Sequence, residues 1–218
     1  MTDTAALALA SLLCSRLCHD MLSPVGALSN GLELLRDEKD PEMRKRCMEL
    51  LEQSAKASAD KLKFFRLAFG AAGGFGQMVS VSEARELIAA LIGDSGRITL
   101  DWKVPRDELP KAAVKTLLNL AAMGIEALVR GGTLEVGAEM TKEASEIVIR
   151  AVGPRIAFDQ TIGQALDGSL PLADLSSRTA PAAMIHRLAA STGGGVQWHR
   201  GDDALVMGAV LPHTAPHG

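Results

Sequence analysis

Leu17-Cys18-His19-Asp20-Met21-Leu22-Ser23-Pro24 is the stretch on which the fold turns. It lies inside residues 4–36, where Leu7, Ala10, Cys14, Leu17, Met21, Val25, Leu28, Leu32 and Leu35 recur at spacings of three and four. That spacing draws one apolar stripe along an α-helix. With Leu7 at heptad position a, Cys14, Met21, Leu28 and Leu35 also fall at a, forming a seam that packs against other helices. His19 falls at f, away from the seam, on a face shared with Ser15, Arg16, Ser23, Gly26, Ser29 and Asn30. Pro24 removes one backbone hydrogen bond and is expected to kink the helix just after His19.

Outward from this helix, Asp40-Pro41 suits an N-cap and a first helical position, opening a second helix over residues 41–69. Its apolar residues form two adjacent stripes, one through Met48, Leu51, Ala55, Ser58, Leu62, Phe65 and Phe69, the other through Met43, Cys47, Leu50, Ala57 and Phe64. A face that wide suits a helix with two neighbours. One chain supplies two such helices, so a homodimeric four-helix bundle is expected. The glycine-rich break at residues 70–76 divides the chain into a helical hairpin, 1–72, and a second unit, 77–213.

The second unit reads as an α/β sandwich of about five strands with helices on one face, giving an α+β class overall. Ser80-Val81-Ser82-Glu83 has the form of a capping box opening a helix to about Ile92. A strand follows at Arg97–Lys103, then a long apolar helix over Pro110–Arg130. Thr133–Met140 and Glu146–Val152 make a hairpin, with Leu134, Val136, Ala138 and Met140 on one face. A weak helix at 158–166 and a firmer one from Pro181 to Ser191 precede a last hairpin, Val196–His199 with Ala204–Leu211. Gly193-Gly194-Gly195 reads as a helix cap and turn.

Composition narrows the function. Of 218 residues 47% are hydrophobic but only 3% aromatic, with no Tyr, so the core is aliphatic. The net charge of −3, without a basic block, lacks the footprint of a nucleic-acid binder. Three Cys make no disulfide framework, and a reducing cytoplasm is the expected home. Cys14 and Cys18, on the seam, are expected to be buried structural thiols rather than metal ligands with His19. Only Asp3, and no Lys or Arg, precedes the apolar residues 5–13, so no signal peptide is expected. That run is also read as too short to span a bilayer. Trp102 and Trp198 are expected in the core, and Arg44-Lys45-Arg46 on a solvated face.

The chemistry centres on His19. Imidazole is nucleophilic near neutral pH, and a phosphoryl group on its nitrogen is reactive enough to be passed on. Asp20 is placed to accept a hydrogen bond from Nδ1–H and leave Nε2 as nucleophile. Arg16, one turn earlier, is placed to pair with phosphoryl oxygens. Ser23 and Pro24 support the site. Leu12 and Leu22 also lie on this otherwise polar face.

His19-Asp20-x-x-Ser23-Pro24 resembles the phosphoacceptor box of two-component histidine kinases. The order of parts is similar over the whole chain, and the second unit resembles a kinase ATPase domain. Leu118 to Ala127 resembles the Asn box, with Asn119 at its first Asn, but Met123 stands where a metal-binding Asn is expected, and a thioether is a poor Mg²⁺ ligand. Ala151 and Arg155 replace the Asp and second Gly of the Asp-x-Gly-x-Gly loop. Ser177-Arg178-Thr179-Ala180-Pro181 lacks the glycines that let backbone amides approach phosphates. Arg155 and Arg178 are expected at solvated surface positions, the alternative being that they mark where a phosphate lay in an ancestral site.

With its nucleotide chemistry missing, the chain resembles the ChpT-type histidine phosphotransferases of bacterial phosphorelays. Arg16-Leu17-Cys18-His19-Asp20, Phe64 to Gly70 and Leu100-Asp101-Trp102 fit that family as well. The resemblance implies that His19 accepts a phosphoryl group from the Asp of a hybrid kinase's receiver domain and donates it to a response regulator. It implies a receiver-docking surface around Ser15, Leu22, Ser23 and Gly26, no cofactor of the chain's own, Mg²⁺ coming with the receiver, and no nucleic-acid or membrane partner. Two alternatives stand beside it: a dimeric pseudokinase that binds receivers without transfer, and an active kinase with a divergent ATP site.

Overall fold

The computed structural model describes residues 3–70 and 78–213. Most of the glycine-rich break at 70–76, and His217 in the tail, lie outside the described residues.

Helix α1 spans Asp3–Asp37 and α2 spans Pro41–Ala68. They pack side by side along their lengths. The turn between them is built as its residues dictate: Asp40 caps α2, its Oδ2 accepting from the Met43 amide at 3.3 Å, and Pro41 occupies the first turn. Arg44 has a definite task here. Its Nη1 donates to the carbonyls of Leu35 (3.1 Å) and Glu38 (2.9 Å), placing a cation at the carbonyl-rich end of α1.

Within one chain the inward face of α1 is only partly the expected seam. Ala5, Leu9, Pro24 and Gly31 are buried and Leu17, Met21, Leu28 and Leu35 half-buried, while Leu7, Val25 and Leu32 are exposed. A Cβ on Gly31 would come within 2.8 Å of the Leu51 side chain, so the helices touch closely there. Cys14 and Cys18 are exposed rather than buried, because the hairpin turns its other flank inward; Cys47 is the buried thiol. Leu12 likewise leaves the polar face and packs against the core. The helix continues through Pro24 as one element. By length and composition α1, Thr4–Asp37, also reaches what a membrane span needs, which the short run 5–13 had not suggested.

The remainder is a one-sided sheet. Strands β1 (Met78–Ser80), β2 (Ile98–Lys103), β3 (Glu108–Pro110), β4 (Gly132–Met140), β5 (Ala144–Val152), β6 (Gly195–Arg200) and β7 (Ala204–Pro212) alternate with α3 (Val81–Ile92), α4 (Lys111–Ala127), α5 (Gln160–Asp167) and α6 (Ala180–Ser191). Five strands form one sheet in the order β2-β4-β5-β7-β6, with β2 and β4 parallel and the other pairs antiparallel. The short ribbon β1–β3 had no counterpart in the sequence reading, since three residues are too few to show alternation. Alternate residues point inward: Leu134, Val136 and Ala138 on β4, Ile147, Ile149 and Ala151 on β5, Leu205, Met207, Ala209 and Leu211 on β7. Each large side chain among them contributes roughly 1.5–3 kcal/mol by leaving water. The opposite face is wet, with Val148 and Val210 exposed and Arg150 paired to Glu135 at 2.7 Å.

Helix α4 is the central helix, packed on the sheet from within and on α2, α3 and α6 from outside. Gly124 lets it approach: a Cβ there would come within 2.7 Å of Leu134. Helix α5 reaches the sheet by the same device, since a Cβ on Gly163 would meet the Trp198 indole at 2.2 Å. Trp198 and Trp102 are half-buried against the core rather than fully inside it. The glycines after α6 close it with paired bonds, Gly193 N–H to Ala190 O (3.1 Å) and Gly194 N–H to Ala189 O (3.0 Å), Gly193 taking φ 79°.

The capping box at Ser80 does not form. Ser80 ends β1, its hydroxyl lies 2.7 Å from that of Ser82, and Glu83 is drawn away to pair with Arg66 of α2 at 3.2 Å. An ion pair between elements has replaced the local cap. His213 is held by Ser145 Oγ at 2.9 Å from its Nε2 and by its own amide on Glu143 O at 2.7 Å.

Candidate functional site

His19 stands on α1 with 82% of its side chain exposed. Its Nδ1 lies 3.0 Å from Asp20 Oδ1. A carboxylate only accepts hydrogen bonds, so Nδ1 carries the hydrogen and, in the neutral ring, Nε2 presents its lone pair to solvent. The other oxygen, Asp20 Oδ2, accepts from Arg16 Nε at 2.7 Å, and Arg16 Nη2 donates to Glu126 Oε1 on α4. The line His19–Asp20–Arg16–Glu126 therefore runs from an exposed imidazole on the hairpin to the sheet-bearing part of the chain. Arg16 is turned toward these two carboxylates rather than held free for phosphoryl oxygens, as the sequence had placed it.

Pro24 has a consequence for the same turn. Lacking an N–H, it leaves the carbonyl four residues earlier, that of Asp20, without its helical donor. Lys61 of α2 takes that carbonyl, Nζ to O 2.9 Å. The proline of the histidine box thus opens a place in the helix ladder that a lysine from α2 fills. Sequence reasoning missed Lys61 and Glu126. Nothing local marks either one, and both act across the hairpin or between its helices and the sheet-bearing part.

The charges bias the site toward an ionised Asp20. Burial pushes its carboxyl up, but the hydrogen bonds from His19 and Arg16 and the charges of Arg16 and Lys61 outweigh burial and hold it below the ordinary value of 3.8. Burial likewise works against the Arg16 cation, yet Glu126 and Asp20 overcome it and raise its pKa. Because the folded Asp20 value is depressed, its contribution to stability is complete above the unfolded value and is lost as pH falls through the folded one. Asp159 and Asp167, also depressed by bonds from Thr161 and Ser169, act in the same direction. Urea midpoints are therefore expected to be flat from neutrality to about pH 5 and to fall below about pH 4, with Asp20→Asn showing a shallower fall.

Behind the site lies a cavity of about 290 Å³ between the hairpin and α4, walled by Phe64, Phe65 and Phe69 on one side and Ala122, Met123 and Ile162 on the other. This is where the Asn-box resemblance falls. Asn119 is buried, and its Nδ2 donates to Ala68 O (3.3 Å) at the end of α2 and to Lys115 O (2.8 Å). It ties the hairpin to α4. Met123 is buried beside it. Ala151 is fully buried between Leu134 and Leu205 of the neighbouring strands, facing core and not a ligand. Arg155 is exposed, and Arg178 pairs with Asp159 at 3.2 Å.

Of the other sequence-named residues, Ser15, Leu22 and Ser23 are exposed and Gly26 half-buried, all within about two helical turns of His19 on α1. A Cβ on Gly26 would meet nothing within 4 Å. Among the described residues no three or more His, Cys, Asp or Glu side chains converge as a metal site.

The comparisons with known proteins bear on this geometry. Residues 81–204 match the family model described as the histidine phosphotransferase C-terminal domain. The chain is also 33% identical over 205 residues to the protein phosphotransferase ChpT of Brucella abortus (strain 2308), covering 94% of this chain and 96% of that one.

The chain belongs to the ChpT-type histidine phosphotransferases.

A solved structure described as a bacterial phosphotransferase superposes with a TM-score of 0.80 at 31% identity, covering 94% of this chain and 96% of that one. In this family member Met123 and Ala151, at the positions where the sequence departs from the nucleotide-site pattern, are both buried as packing residues.

Proposed function

We propose that His19 is the phosphoacceptor of this histidine phosphotransferase, receiving a phosphoryl group from the aspartyl phosphate of a receiver domain and passing it to the Asp of a response regulator. The observation that carries this reading is the exposed imidazole whose Nδ1–H is held by Asp20. Nε2 attacks phosphorus in line; the N–P bond forms as the P–O bond to the receiver's Asp breaks, and the electron pair leaves with that carboxylate. The ring then carries positive charge, which Asp20 offsets. Donation reverses these events on a second receiver. Mg²⁺ at the receiver's own acidic site supplies charge neutralisation to the phosphoryl oxygens.

Ser15, Leu22, Ser23 and Gly26 surround the imidazole and form the receiver-docking surface in this reading. The exposed Val25 and Leu32 of α1 and Met48 and Leu62 of α2 are the apolar positions that a second copy would cover, completing a four-helix bundle. Cytoplasmic residence follows from the partners and suits three free thiols.

The test has two arms. The protein is incubated with γ-³²P-labelled ATP alone, and separately with a receiver domain phosphorylated by its kinase and freed of ATP. Acid-labile label is expected only in the second arm. Label from ATP alone would make the chain a kinase, and no label in either arm would leave a receiver-binding module.

A further inference from the structure

We infer that Glu126 is a positioning residue for phosphoryl transfer at His19, acting through Arg16; this rests on the assignment of His19 as phosphoacceptor. Glu126 is the one carboxylate in α4, and it sits in the last turn of that helix, where the backbone carbonyls make a negative charge unfavourable. Its Oε1 accepts from Arg16 Nη2, a bond spanning 110 residues of chain between the hairpin and α4. The Arg16 side chain is 21% exposed and Asp20 20%, while Glu126 stays 45% exposed.

The geometry explains what Glu126 does. A guanidinium presents a fork of donors that suits both oxygens of one carboxylate. Left alone, Arg16 would engage both oxygens of Asp20 and take Oδ1 from the imidazole. With Nη2 committed to Glu126, Arg16 meets Asp20 through Nε at Oδ2 alone, 2.7 Å away. Oδ1 remains for His19 Nδ1 at 3.0 Å. Glu126 thereby keeps the imidazole in the tautomer whose Nε2 is unprotonated. The α/β part of the molecule has a direct hand in the transfer site.

The experiment pairs a chemical readout with a spectroscopic one. Single-turnover transfer from a saturating phosphorylated receiver is followed in the native protein, Glu126→Ala and Glu126→Gln. The His19 ring tautomer is read from its ¹⁵N shifts in the same proteins without any partner. Glu126→Ala is expected to slow transfer roughly 10- to 100-fold, the rate equivalent of one charged hydrogen bond, with the receiver concentration for half-maximal rate unchanged. Its His19 is expected to shift from the Nδ1–H form toward a tautomer mixture. Glu126→Gln, which keeps an acceptor oxygen, is expected to restore most of both. An Ala variant with native tautomer and native single-turnover rate overturns the inference, even if its melting temperature falls. If the native protein takes no label, the phosphoacceptor assignment fails, and the tautomer of Glu126→Ala alone then decides whether Glu126 positions the ring.

Discussion

His19→Ala is expected to take no label from a phosphorylated receiver, while its melting temperature stays close to that of the native protein. Loss is complete because no neighbour can replace the imidazole nitrogen. Asp20 forms an unstable mixed anhydride with phosphate, and Ser15 and Ser23 are far weaker nucleophiles without a base to activate them. Stability is spared because 82% of the side chain already lies in water. Surface substitutions of this kind move stability within about 0.5 kcal/mol. Asp20 also keeps its bond from Arg16 Nε, so its carboxylate is not left unpaired. The measurement is receiver-driven labelling on a gel, beside thermal unfolding of the same sample. Label retained by His19→Ala would point elsewhere. His199 is the other exposed histidine among the described residues, whereas His186 is engaged with Leu166 O at 3.1 Å and His213 with Ser145.

Leu117→Ala is expected to cost about 2–5 kcal/mol, the range for a leucine removed from a core that cannot collapse around the gap. Leu117 is fully buried on α4. That helix is packed by the sheet on one side and by α2, α3 and α6 on others, so relaxation at one wall opens a gap at another. In a chain of this length each kcal/mol moves the melting temperature by about 2–4 °C, so a fall of roughly 4–20 °C is expected. Leu22→Ala is the matched control. Leu22 is the same residue type at 70% exposure, and its loss is expected to stay within about 0.5 kcal/mol. Urea unfolding of both variants reads the difference; a cost below about 1 kcal/mol for Leu117→Ala would deny α4 its central place.

Much of the fold was legible because each element announces itself locally. Strands β4, β5 and β7 alternate inward and outward residues at period two, and the sheet uses that alternation on its single covered face. Asp40-Pro41 starts α2 as its chemistry requires. That Met123 and Ala151 depart from the nucleotide-site pattern could be read directly, because it is a matter of residue type. The ribbon β1–β3 was not legible, being too short to carry a period. The capping box at Ser80 misled because its Glu83 had a better partner, Arg66, in another helix. Heptad positions also could not say which flank of α1 meets α2. The hairpin turns another flank of α1 inward, so Cys14 and Cys18 came out on the exposed side.

The sequence by itself determined the local arrangement: a histidine followed by an acid on the outward face of a helix with Pro24, joined to an α/β part with Met123 and Ala151 in its core. Those features depend on residue identity and local spacing. Only the tertiary structure decided how the histidine is held. Lys61 meets the carbonyl that Pro24 frees, Asn119 ties α4 to the end of α2, and Glu126 reaches Arg16 across the junction. These partners are separated by 41, 51 and 110 positions. No periodicity links residues so far apart, and each bond exists only once packing has brought its donor and acceptor together.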